Sequence, residues 1–211
     1  MADSPMGPFT FTGIIMDESP SGCWTNHHSI TEYNGQWYLF YHHNDYSPNF
    51  DKNRSARIDS LFFNTDGTIK KVKPTLRGVG ITDARSKIQI DRYSTINPYG
   101  VTIDYLEPSN TFEGWQTLFN RAGTWVTYNK VDFGTTPVKR LKARVRSEKG
   151  GAITLRTPGE KGMTIAELPI KPTEKWTEIS TNVSNAPTSM QDLIITQTGE
   201  NPVAVDWISF E

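Results

Sequence analysis

The chain has 211 residues and a formal net charge of −1, with 22 Lys+Arg against 23 Asp+Glu. That balance excludes the basic excess of a nucleic-acid binder and the polybasic patch of a membrane-surface protein. Mean hydropathy is −0.53, no apolar run approaches the ~20 residues of a membrane helix, and a lone Cys23 excludes both a disulfide framework and a multi-cysteine zinc site.

The opening MADSPMGP has no basic region and no apolar core, so no signal peptide is expected there. Residues 9–15 alternate in polarity and read as a strand. Residues 28–33 and 36–42 flank Asn34-Gly35, the pairing of a tight hairpin turn. Residues 60–64 and 68–72 flank Asp66-Gly67 and read as a second hairpin. All four histidines (His27, His28, His42, His43) fall before residue 44, and the stretch 74–83 lacks periodicity. These features predict two unlike units with a boundary near residue 82. Beyond it, residues 125–128, 140–145, 152–157, 163–168, 175–180, 192–196 and 204–210 read as short strands separated by Gly, Pro or Asn. Seven or more such strands predict a sandwich or barrel with almost no helix.

The segments SPMGPFTFTGIIMD, CWTNHHSITEYNGQWYLFYHHN and RSARIDSLFFNTDGTI occur in order within residues 4–80. Together they resemble the end of a glycoside hydrolase family 43 catalytic domain, a five-bladed β-propeller acting on arabinoxylan, xylan and arabinan side chains. IQIDRYS, GTWVTYNKVDFG, WTEISTNV and VAVDWISF, within 85–211, resemble a family 6 carbohydrate-binding module, a jelly-roll β-sandwich. The expected fold is therefore all-β: residues 1–82 a partial five-bladed propeller, its last blade, and residues 83–211 a jelly-roll β-sandwich. The order resembles the C-terminal part of a secreted arabinofuranosidase or β-xylosidase. The family's catalytic Asp, Glu and third Asp belong to the first three blades. Asp17, Glu32 and Asp45 fall outside those motifs, so no catalytic residue is assigned and the chain alone is expected to be inactive.

The resemblance also implies sites. His27, in Thr-Asn-His-His-Ser, matches a channel histidine that binds a metal, often calcium; the other reading is a hydrogen-bonded histidine without metal. Gln89, Asp91 and Asp206 match the ligands of a structural calcium, and the two-residue spacing puts Gln89 and Asp91 on one side of a strand. Phe119 fits the first aromatic of the family's loop-end sugar cleft. Thr173 and Ala204 stand where that cleft needs Trp and Asn, so the cleft is expected to be degenerate. Trp125, in Gly123-Thr124-Trp125, matches an alternative sugar platform on the concave sheet face, against a core reading of the same ring. Trp115, in a loop-like GWQ, is a further platform. Trp176 and Trp207 read as core. The implied partner is plant cell-wall polysaccharide, xylan or arabinoxylan, with no nucleic acid and no membrane. A sandwich that only buttresses the propeller is the alternative. The open blade is also expected to pack on the sandwich or drive self-association.

Overall fold

In a computed structural model, residues 1–18, 26–44, 54–160 and 162–211 are described. Cys23, Trp24 and Asp45 lie outside them. The chain divides into two compact units, Met1–Val79 and Gly80–Glu211.

The first unit is built on one antiparallel sheet, β1 (Ser29–Tyr33), β2 (Gln36–His43) and β3 (Ser55–Leu61), in that order. Asn34 and Gly35 have φ of 49° and 77°, the two left-handed residues of a type I′ turn, and they set the register Tyr33↔Gln36. One face of β2 and β3 buries Leu39, Tyr41 and Leu61 against Val72, with Ile15, Met16, Ile30 and Ile69 packed alongside. Asp59 is buried in this unit with its charge fully partnered. It accepts from Tyr41 Oη (2.5 Å), Thr75 N (3.0 Å) and Thr75 Oγ1 (2.6 Å). Burial and that carboxylate push the Tyr41 phenol up.

Two sequence expectations need correction here. Residues 9–15 form no strand: Phe9 and Phe11 are 72% and 83% exposed, and the segment joins the unit only where Met16 bridges Val72. Alternation alone does not make a strand without a partner edge to pair with. The second hairpin shrinks to a turn at Asn64–Thr68 closed by a single Phe63–Ile69 bridge, and the long ladder to β2 is made by residues 55–61 instead.

In the second unit the strands are β4 (Thr82–Asp83), β5 (Ile88–Gln89), β6 (Thr95–Ile96), β7 (Val101–Tyr105), β8 (Trp115–Phe119), β9 (Trp125–Asp132), β10 (Arg140–Ser147), β11 (Gly151–Arg156), β12 (Thr164–Ile170), β13 (Thr173–Asn182), β14 (Met190–Gln197) and β15 (Val203–Phe210). They form two six-stranded sheets. One runs β13-β10-β15-β8-β7, with β5 also on β15; the other runs β12-β11-β14-β9-β4, with β6 also on β9. The seven expected strands are all present, six of them lengthened by one to four residues and the seventh, 152–157, shifted by one to Gly151–Arg156. β7 and β8 escaped the sequence reading because Asp104, Gln116 and Thr117 interrupt their apolar residues. Among the described residues the only helical pieces are two 3₁₀ turns, Ile90–Arg92 and Thr111–Glu113.

Alternate residues of both sheets meet in one core, including Phe119, Val126, Tyr128, Leu141, Val145, Ile153, Leu155, Leu193, Ile195, Val205 and Ile208, with Phe133 and Phe210 edge-on at 5.0 Å. Phe119 is 0% exposed within that core. The expectation that it offers a ring to sugar is therefore corrected: its β8 register, opposite Val101 and Val203, turns it inward. Phe119→Ala should destabilise the second unit by about 3–5 kcal/mol, the range for emptying a fully buried aromatic site. Chemical denaturation followed by tryptophan fluorescence would measure it; a loss below ~1 kcal/mol would contradict the core placement.

Candidate functional site

The outer faces of the two sheets carry the chemistry, and a β-bulge shapes the first of them. Arg144 pairs with Trp207 and the next residue, Val145, with Val205, so Asp206 is an extra residue in β15. The bulge turns both Asp206 and Trp207 outward, while Val205 and Ile208 stay in the core. Trp207 is buried, as expected, but on the outer face, with Lys87 Nζ 4.5 Å above its ring. Asp206 takes a 2.6 Å hydrogen-bonded ion pair from Arg144 Nη1.

Gln89, Asp91, Asp206 and Trp115 line one cleft of about 360 Å³ together with Arg144 and Trp207. The expected geometry is corrected in one detail. Gln89 ends β5, but Asp91 sits in the 3₁₀ turn, so the two do not share a strand face; the turn carries Asp91 to the cleft instead. Burial pushes Asp91 up to about 6, opposed by Arg92 and reinforced by the charge of Asp206. Burial also raises Asp206, against the pull of Arg144. Two desolvated carboxylates and an amide at one cleft are oxygen donors of the kind calcium takes. Glu113 also lines the cleft, but no group of three His, Cys, Asp or Glu side chains placed to hold a metal ion occurs among the described residues. His27 is exposed, its ring 5.7 Å from that of His42, and it belongs to no group of three possible metal ligands among the described residues. Trp115 stacks on Tyr105 at 4.3 Å and 24° at the end of β7 and β8.

Trp125 begins β9. Val126 and Tyr128 point into the core, so Trp125, Thr127 and Asn129 face outward from the second sheet, half-buried. The register sets Thr196 beside Trp125 and Ile194 beside Thr127, with Thr154 next to Thr196 on β11. The ring thus lies on a surface of threonine hydroxyls. Its core reading does not hold, because strand alternation excludes it from the interior. Trp176, also expected in the core, is half-buried on the outer face of the other sheet, with Arg144 and Arg146 guanidinium carbons 5.3 and 5.1 Å from its ring centre. Neither arginine, nor the bulge that re-aims Asp206, was legible in the sequence. The alternation of Arg140, Lys142, Arg144 and Arg146 along β10 was the available signal.

Two packed, largely antiparallel sheets with indoles and hydroxyls on their outer faces define a β-sandwich of the glycan-binding class. The chain belongs to the carbohydrate binding module family 6, whose family model matches residues 97–211. Relatives extend further. An arabinoxylan arabinofuranohydrolase of Paenibacillus polymyxa is 28% identical over 94% of this chain and 33% of its own length. A beta-xylosidase of Xylanibacter ruminicola is 45% identical over 35% of this chain and 22% of its own length. The chain spans about a third of the length of the first curated relatives it matches, in the C-terminal part of family 43 glycoside hydrolases. A solved family 43 arabinoxylan arabinofuranohydrolase from Bacillus subtilis, in complex with cellotetraose, superposes on 99% of this chain and 46% of its own, with a TM-score of 0.66 and 25% identity. A family 6 module from Clostridium cellulolyticum, in complex with xylose, covers 62% of this chain and 99% of its own, with a TM-score of 0.54 and 26% identity.

Arg144→Met should leave the Asp206 carboxylate desolvated without its partner and cost on the order of 3 kcal/mol near neutral pH. The sign with pH follows from Asp206 being raised: protonation removes the buried charge, so the deficit should shrink as pH falls through its folded pKa. Melting curves of wild type and variant across pH 4–8 would measure this; a deficit that grows on acidification would contradict it.

Proposed function

We propose that residues 83–211 bind xylan or arabinoxylan chains and that residues 1–82 are the last blade of a five-bladed family 43 propeller. The observation that carries the glycan reading is the Trp125 ring on the outer sheet face beside Thr127, Thr154 and Thr196. An indole face packs on the apolar C–H face of a pyranose, and flanking hydroxyls fix its orientation. The names of the relatives support the xylan class. They also support a secreted protein, since a polymeric wall glycan is met outside the cell. Phe40, Phe62 and Phe63 are exposed in the first unit; in a propeller they would face neighbouring blades, and left uncovered they would favour self-association. Trp115 is a second platform on this reading.

Affinity electrophoresis in soluble arabinoxylan tests the proposal. Wild type should be retarded. Trp125→Ala should weaken binding at least tenfold with an unchanged melt, since the ring lies outside the core, and Trp115→Ala less. Absence of retardation in the wild type would instead favour a sandwich that only buttresses its neighbour.

Calcium at Gln89, Asp91 and Asp206 is part of the same proposal. The desolvated carboxylate pair supports it: a divalent cation would offset the burial that now holds both carboxyls above their usual range. A ligand bound only by the folded state stabilises it by about 3 kcal/mol at a hundredfold excess over Kd. The melting temperature should fall on treatment with chelator and recover with calcium. A melt indifferent to both, in metal-free protein, would refute it.

A further inference from the structure

The cleft of Gln89, Asp91 and Asp206 carries its own counter-ions. Lys87, Arg92 and Arg144 line it together with Asp91, Glu113 and Asp206, so its positive and negative side chains balance. A dication added to a balanced cleft leaves an excess of positive charge, which opposes its binding unless a resident cation gives way. Lys87 is held over the Trp207 ring. Arg144 is the cation that directly occupies a candidate ligand: its Nη1 donates to Asp206 Oδ2 at 2.6 Å, and the Asp206 side chain is only 7% exposed. The guanidinium therefore holds a carboxylate of the kind a calcium ion takes.

Arg144 also has a second partner within its strand's reach. It lies on β10, between β15, which carries Asp206, and the edge strand β13. On β13 the residue directly opposite Arg144 is Glu178, on the same outer face. Glu178 is exposed and makes no ion pair among the described residues. Trp176, on the same strand, has its ring centre 5.3 Å from the guanidinium carbon. A long side chain on a central strand thus has a desolvated carboxylate on one flank and a solvated one on the other. A cation that takes Asp206 shifts such a pair of arrangements toward the second.

We infer that Arg144 competes with calcium for Asp206: it neutralises the carboxylate in the metal-free protein, pairs with Glu178 when exchanged for the ion, and so sets the calcium affinity of the cleft. The inference rests on the calcium reading given above. The test titrates calcium chloride into the metal-free full chain by isothermal calorimetry. Arg144→Met should bind calcium about tenfold more tightly than wild type, the scale for removing one competing unit charge at close range. Arg146→Met deletes the same charge beside the same ring, from an arginine without a carboxylate partner, and should shift the affinity by less than about threefold. Melting curves give an independent readout. Arg144→Met should melt below wild type in chelator, and the gap should narrow as calcium is added, because the tighter site gains more from the same free ion. Should Arg144→Met fail to fold, Arg144→Lys, which keeps the charge but loses the planar fork, should tighten binding in the same direction. Unchanged or weaker calcium binding by the Arg144 variants, beside a measurable wild-type affinity, overturns the inference and leaves the calcium reading intact. Equal tightening by Arg144→Met and Arg146→Met does the same, since the effect would then belong to the general field. Calcium binding by the Arg144 variants alone supports the inference, the arginine masking the site in the wild type. Binding by none of the proteins overturns the calcium reading and the inference with it.

Discussion

Two sheets that share one core must each turn half of their side chains inward, and every other property of the second unit is distributed over what is left. Strand alternation sends Val126 and Tyr128 into the interior and so places Trp125 and Thr127 outside. It sends Leu141, Ala143 and Val145 inward and so lines Lys142, Arg144 and Arg146 along the opposite outer face. The stability of the module and the composition of its surfaces are thus one constraint. A one-residue slip of β9 would bury the indole and expose the core together.

Departures from that alternation concentrate the chemistry. The bulge at Asp206 places a carboxylate and an indole on the same face at consecutive positions, where a regular strand would have sent one of them inward. The carboxylate then meets Arg144, and the indole is covered by Lys87. Because Asp206 satisfies Arg144, the two arginines that share Trp176 become unequal. Arg144 is paired with Asp206, whereas Arg146 lies over the same ring with no hydrogen bond or ion pair among the described residues. The 3₁₀ turn after β5 is a second irregularity, and it brings Asp91 into the cleft of Asp206 despite their separation in sequence.

The first unit follows a different balance. Its interior is small, Leu39, Tyr41, Leu61 and Val72, and the buried polar centre at Asp59 ties β2, β3 and the segment at Thr75 together. Three hydrogen bonds to one carboxylate compensate its desolvation. Trp37, Phe40, Phe62 and Phe63 of this unit stay at the surface.

Local patterns settled a great deal without coordinates. Asn34-Gly35 dictated its turn because few other pairs accept two left-handed residues. Seven strands of the sandwich were legible because their alternation is unbroken over several residues, and the family was legible in short motifs such as VAVDWISF. What the sequence could not decide is which side of a sheet a residue faces once a bulge, a turn or a missing partner intervenes. Residues 9–15 alternate as a strand should, yet they pair with no strand among the described residues. Phe119 and Trp125 are both aromatic residues near one turn; only the pairing of β8 with β7 and β15 and of β9 with β14 buries the first and exposes the second. The encounter of Arg144 with Trp176 and Asp206 joins residues from three separate parts of the chain. Long-range pairing alone brings them together, because sequence carries side-chain type and local period but not the register between distant strands.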